Sequence, residues 1–224
     1  MSVLFLFAGY PGVGKTSLLV KALRTRFPLF GREDDALFQR TRLPSRLPEW
    51  SLTFDEVLRE GTWFSRTHTA EFARLDVLPE VVVMHIDLLN FSGRRPEPAD
   101  PDLSVLFPRT YAGMSRDEDN RRIIGHKLAD PFFARFDRVL VHTVHAPWEI
   151  CAKRWRVREG DRGPRRPYTA FVMANRDPGE AIHASVYRSW IESVGRLNPA
   201  LHLVGDNSGP ALRVKRLTSG SSVR

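Results

Sequence analysis

Cysteine and lysine are both scarce in this chain. Cys151 is the single cysteine in 224 residues, which excludes an internal disulfide framework and a thiolate zinc cluster. A reducing, cytoplasmic setting is the expectation that follows. Lysine occurs five times against 29 arginines, and the formal net charge is +8. The basic excess is therefore carried by planar forks suited to phosphate and carboxylate oxygens, or it reflects a compositional preference for arginine. No apolar run is long enough to span a membrane. The opening "MSVLFLFAG" has no basic flank and only a short apolar stretch, so it reads as a buried strand rather than a signal or an anchor. Also lacking are a repeat of fixed period and any RNP, zinc-finger or helix-turn-helix signature. The length suits one domain covering 1–224.

Four short apolar runs, at 3–8, 81–86, 139–144 and 201–204, are bounded by turn residues. Three of them carry one histidine, but none alternates strictly, as expected of parallel strands covered on both faces. Segments of helical character lie between them. One starts at about Ser17; "TFDEVLREGTWFSRT" has a capping-box pair in Thr53 and Glu56; others are "SRDEDNRRIIGHKLADPFFARF" and "APWEICAKRWRVRE". Strands alternating with helices predict an open α/β sheet with right-handed crossovers. The stretch 36–43, "ALFQRTRL", is the candidate for a short edge strand. The proline-rich "GRRPEPADPD" is a surface loop, and the basic tail 210–224 ends in a Ser/Gly-rich segment expected to fray.

Directly after the first apolar run stands "AGYPGVGKTSLL", in which Gly9, Tyr10, Pro11, Gly12, Val13, Gly14, Lys15 and Thr16 have the spacing G-x-x-x-x-G-K-[ST]. Between a strand and a helix this spacing makes a phosphate cradle. Glycines allow positive φ and close backbone approach, so successive N–H groups meet phosphate oxygens, and the helix N-terminus opening at Lys15, Thr16 and Ser17 adds partial positive charge. Lys15 is placed to reach the β and γ phosphates of ATP, and the Thr16 hydroxyl to ligate Mg²⁺.

A second element is "EVVVMHIDLL", a strand that delivers Asp87 to the carboxyl edge of the sheet, where open α/β folds bind ligands. Asp87 can hold Mg²⁺, directly or through water, or accept a proton from an acceptor hydroxyl. His85 shares the Asp87 face, and His142 and His145 fall on opposite faces of their strand. The third element is "PWEICAKRWRVREGDRGPRRPY", with Lys153, Arg154, Arg156 and Arg158 in a helix running into Arg162, Arg165 and Arg166 in a Gly/Pro-broken loop. Such a segment can close arginines over a triphosphate and neutralise developing charge.

Taken together, the loop 9–16, the strand-end Asp87 and the strand–"AP"–helix–arginine order resemble the small-molecule kinases built on a phosphate-binding loop: the nucleoside, nucleoside-monophosphate and shikimate kinases. "PWEICAKRW" is similar to the segment leading into the lid of deoxynucleoside kinases. The resemblance implies a P-loop NTPase fold, a three-layer α/β sandwich around a five-stranded parallel sheet of order 2-3-1-4-5. It also implies a lid at about 153–168 with Arg154 as first lid arginine and Arg158 and Arg162 as further members. Adenine would rest between the lid helix and the loop "VGDNSGP". Asp87 is followed by Leu88 and Leu89, not by the Arg-Ser of the deoxynucleoside kinases, so the acceptor is not named by the likeness.

The expected function is ATP- and Mg²⁺-dependent transfer of the γ-phosphoryl group to a hydroxyl, or phosphate, of a small-molecule acceptor. Lys15, Asp87, Arg154, Arg158 and Arg162 are the catalytic set, and residues 9–17 the nucleotide-binding set. Segments 36–74 and 90–116 face the acceptor, where Arg40, Arg42 and Arg66 are candidates for an anionic group on it. The alternatives are a nucleic-acid-associated ATPase or 5′-hydroxyl polynucleotide kinase, with Trp50, Trp63, Tyr111 and Trp155 stacking on bases, and a regulatory NTP hydrolase. No membrane partner is expected, and oligomeric state is not encoded in any motif.

Overall fold

A computed structural model describes residues 1–40, 78, 80–89, 116–129, 131–159 and 167–217. Within them the chain is α/β, with a mostly parallel sheet and helices on both of its faces. Strands β1 (Val3–Gly9), β2 (Val81–Asp87), β3 (Arg138–His145) and β4 (Leu201–Asp206) coincide with the four apolar runs. Every residue of β1 is buried, which is why its sequence does not alternate. The helices are α1 (Lys15–Thr25), α2 (Arg32–Phe38), α3 (Arg116–Leu128), α4 (Pro131–Ala134), α5 (Trp148–Glu159), α6 (Pro167–Ala174) and α7 (Arg176–Val194). No described helix is long and apolar enough to cross a membrane.

The sheet corrects the expected topology. Its described strands run β2-β1-β3-β4-β5, the first four parallel and β5 (Arg213–Leu217) antiparallel to β4, not five parallel strands in the order 2-3-1-4-5. The candidate edge strand at 36–43 is not a strand through Phe38: Ala36, Leu37 and Phe38 close α2. The reason is local. Glu33, Asp34 and Asp35 fall in the first turn of α2, favourable beside a helix N-terminus. The Asp35 carboxylate also reaches back to accept the N–H groups of Leu29, Phe30 and Gly31, at 2.8, 3.0 and 3.0 Å. At the other end of the chain, part of the tail expected to fray is ordered as β5. Asp206 Oδ1 accepts the Ser208 N–H at 2.9 Å, an Asx-type turn that starts the reversal of the chain.

Period-2 alternation divides the core into two halves. Phe5 and Phe7 project to one side and meet Phe30 and Phe38 edge-on or tilted, at ring distances of 4.9 to 5.7 Å. His142, in register with Phe7, stacks on it within the same cluster. On the other side Thr143 accepts the indole N–H of Trp190 at 2.8 Å and lies 2.9 Å from His202 Nε2, while His145 packs on Tyr187 and His183. Helix α7 thus covers one face of the sheet, and α3 packs against α7 with Asn120 bonded to Ser185. His142 and His145 face opposite sides, as their spacing requires.

Candidate functional site

β1 ends at Gly9, and at that level its two neighbours present Asp87 and Val144. Residues 10–14 then turn into α1, whose first residue is Lys15. Two of the glycines have the left-handed backbone that the motif demands, Gly12 at φ +78° and Gly14 at φ +92°. Space is as restrictive as torsion. A Cβ on Gly12 would strike the Cys151 carbonyl, and one on Gly9 would strike the Val144 carbonyl. The loop is therefore packed between the end of β3 and the first turns of α5.

Lys15 is buried, with Nζ donating to the carbonyls of Gly9 at 2.7 Å and Tyr10 at 3.0 Å. Burial lowers its pKa to about 8, opposed by the nearby Asp87 carboxylate and by Cys151 and reinforced by Arg158. The ammonium group is thus held inside the bend of its own loop, next to a carboxylate. Asp87, at the end of β2, accepts the Leu89 N–H at 3.1 Å, which orients its carboxylate at the strand terminus. Thr16 is half-buried and Ser17 exposed at the start of α1, where the first N–H groups have no intrahelical carbonyl.

The Val13 carbonyl is gripped from two sides. Arg154 Nη1 donates to it at 3.3 Å from α5, and Asn207 Nδ2 at 2.7 Å from the turn after β4. At the other end of the loop the Tyr10 N–H donates to the Tyr187 hydroxyl at 3.0 Å, and that hydroxyl donates to the Val144 carbonyl at 2.6 Å. His183 Nε2 lies 2.9 Å from the Ala146 carbonyl, and the ring packs on Tyr10 and Tyr187. Cys151 is a buried small residue; burial pushes its thiol up to about 12, which keeps it protonated and unreactive.

Of the site residues read from the sequence, the loop 9–17, Asp87 and Arg154 come together. Arg158 is exposed near the end of α5, close enough to bear on Lys15. Arg162, Arg165 and Arg166 lie outside the described residues, as do the helix from Thr53, most of 36–74 and 90–116 with Arg42, Arg66, Trp50, Trp63 and Tyr111, and the side chain of His85. Arg40, a candidate anion holder, is paired with Glu80 at 3.2 Å. Sequence reasoning missed Tyr187 and Asn207. Asn207 had a weak signal in the turn composition of "GDNSG". Tyr187 had one in the spacing of His183, Tyr187 and Trp190, a helical stripe.

Among the described residues no three His, Cys, Asp or Glu side chains converge as a metal site. Thr16 at the start of α1 and Asp87 at the end of β2, in register with Gly9, are hard oxygen donors. Such a sparse set fits magnesium that arrives with phosphates and keeps its waters, not a metal caged by protein alone.

No protein-family model matches this chain, and comparison with curated proteins and with solved structures finds no match.

Proposed function

We propose that this chain is an ATP-dependent phosphotransferase that moves the γ-phosphoryl group to a hydroxyl of a small-molecule acceptor. One observation carries the reading: a buried lysine at the head of a helix, inside a turn of left-handed glycines, with a strand-end carboxylate in register with the first glycine. Loop amides and the α1 N-terminus bind the phosphates. Lys15 turns from the Gly9 and Tyr10 carbonyls to the β and γ oxygens, which are stronger acceptors for its charge. Magnesium, when bound, would supply positive charge to offset that of the phosphates. Thr16 and Asp87 are the residues that would hold it, Asp87 alternatively taking the proton of the acceptor hydroxyl. Arg154 and Arg158, and Arg162 beyond the described residues, balance charge that builds up during transfer.

A nucleic-acid acceptor has one observation in its favour: Arg213, Lys215 and Arg216 are exposed on the edge strand β5. Phosphorus NMR of ATP, Mg²⁺ and a panel of hydroxyl-bearing metabolites, with a 5′-hydroxyl oligonucleotide included, tests both readings. A new phosphomonoester resonance with one acceptor, lost in Lys15→Ala, is the expected result. ADP and inorganic phosphate alone with every acceptor would make the chain a hydrolase instead.

A further inference from the structure

We infer that Tyr187 and Asn207 are positioning residues that impose the shape of the phosphate loop before any ligand arrives; this rests on reading 9–16 as a phosphate loop. A segment with three glycines in eight residues orders itself poorly, because glycine has the most backbone freedom to lose. The loop's own backbone supplies little, namely Val13 N–H to the Tyr10 carbonyl at 3.2 Å and Leu18 N–H to the Gly14 carbonyl at 2.9 Å. Lys15 and Arg154 add bonds to the Gly9, Tyr10 and Val13 carbonyls, and the two ends are tied further by side chains 177 and 194 positions away in the sequence.

Tyr187 acts where the chain leaves the sheet. The Tyr10 N–H is the first donor beyond the β1 ladder, and Val144 is the residue of β3 in register with Gly9. The buried phenol stands between them, accepting from one and donating to the other, and so replaces a rung of the ladder with a side chain. Asn207 acts where the loop enters α1. Its backbone N–H is fixed to the His145 carbonyl at 2.7 Å, and its amide donates to Val13. A Cβ on Gly14 would lie 2.7 Å from that amide nitrogen, so a side chain there would push the Asn207 amide off Val13, beyond the strain of its own φ of +92°. With both ends fixed on folding, phosphate binding orders little more than Lys15.

The test uses Tyr187→Phe, which keeps the ring, and Asn207→Ala, which changes a half-exposed turn residue. Amide hydrogen exchange is measured first on the ligand-free proteins, then affinity for inorganic tripolyphosphate and for ATP, both with Mg²⁺. Each variant is expected to speed exchange across 10–16 by about tenfold or more while β1 and β3 stay protected. Each should weaken tripolyphosphate by about tenfold, the loss of one well-placed hydrogen bond. Asn207→Asp, which cannot donate to Val13 and adds a negative charge beside the phosphates, should weaken it further. Unchanged exchange at 10–16 in folded variants would overturn the inference. A parent protein that binds neither tripolyphosphate nor ATP would refute the phosphate-loop reading, and the exchange measurement would still decide the brace.

Discussion

His142 is fully buried among Phe7 and Phe30, and neither ring nitrogen has a hydrogen-bond partner. A polar group buried without a partner costs about 1–3 kcal/mol. Burial lowers its pKa to about 4, the like charge of His202 adding to the shift and Asp35 opposing it. Gly205 accommodates the ring, since a Cβ there would meet Nε2 at 2.6 Å. His142→Leu keeps the shape of the cluster approximately and removes the unpaired nitrogens. It should raise stability by about 1–2 kcal/mol in urea unfolding. A loss of stability would mean that the ring's contacts outweigh the cost of its nitrogens. Lys15 is the opposite case, a buried amine whose hydrogens are taken up by the Gly9 and Tyr10 carbonyls.

At the scale of elements, α2 is anchored by two carboxylates, Asp34 on Arg138 Nη2 at 2.8 Å and Asp35 on the backbone of residues 29–31. Asp35→Ala leaves the Leu29, Phe30 and Gly31 N–H groups without their acceptor and loosens the Phe30–Phe38 lid on β1. Charge-assisted bonds contribute about 1.5–3 kcal/mol each, so the loss should be about 3 kcal/mol or more, read from urea midpoints at constant m. A change below about 1 kcal/mol would show that aromatic packing and the Asp34–Arg138 pair hold α2 without Asp35.

The same element marks where the sequence misleads. The strands β1 to β4 are legible because continuous apolar runs between turn residues have few other uses, and the loop 9–16 is legible because glycine spacing encodes backbone torsion directly. In 36–43 the apolar letters are too few to set a period, and the determinant, Asp35 folding back on residues 29–31, is a local choice of one side chain that no apolar pattern records. β5 is hidden for a different reason. All its residues but the last are exposed, so no buried face writes a pattern into "RVKRL". The site was half legible. Lys15, Thr16 and Asp87 stand on local signals, whereas Tyr187 and Asn207 gain their meaning only from contacts across most of the chain.

Taken as a whole, the molecule buries several histidines in neutral form. Burial lowers His142, His183 and His202 to about 4, against 6.5 for an unburied imidazole. Between those values the unfolded chain takes up protons that the fold refuses, so stability falls as pH drops from about 6.5 to about 4 and levels off below that, as far as these groups are concerned. Urea midpoints across this window should decline with acidification, and His142→Leu should flatten the slope. A midpoint constant from pH 7 to 4.5 would contradict the buried-neutral assignment.

Charge has a second consequence at this scale. The excess of +8 raises the encounter rate with any polyanion, so salt-dependent attraction alone is no proof of a specific site. A site must show a defined stoichiometry and dependence on one lysine. The deciding measurement is therefore a calorimetric titration of ATP with Mg²⁺, at physiological ionic strength, into the parent protein and into Lys15→Ala. Saturable one-to-one binding by the parent, lost in a variant that keeps the parent's circular dichroism, is the predicted result. Equal binding by both proteins, or none by the parent, would contradict the assignment of residues 9–16 as a triphosphate-binding loop.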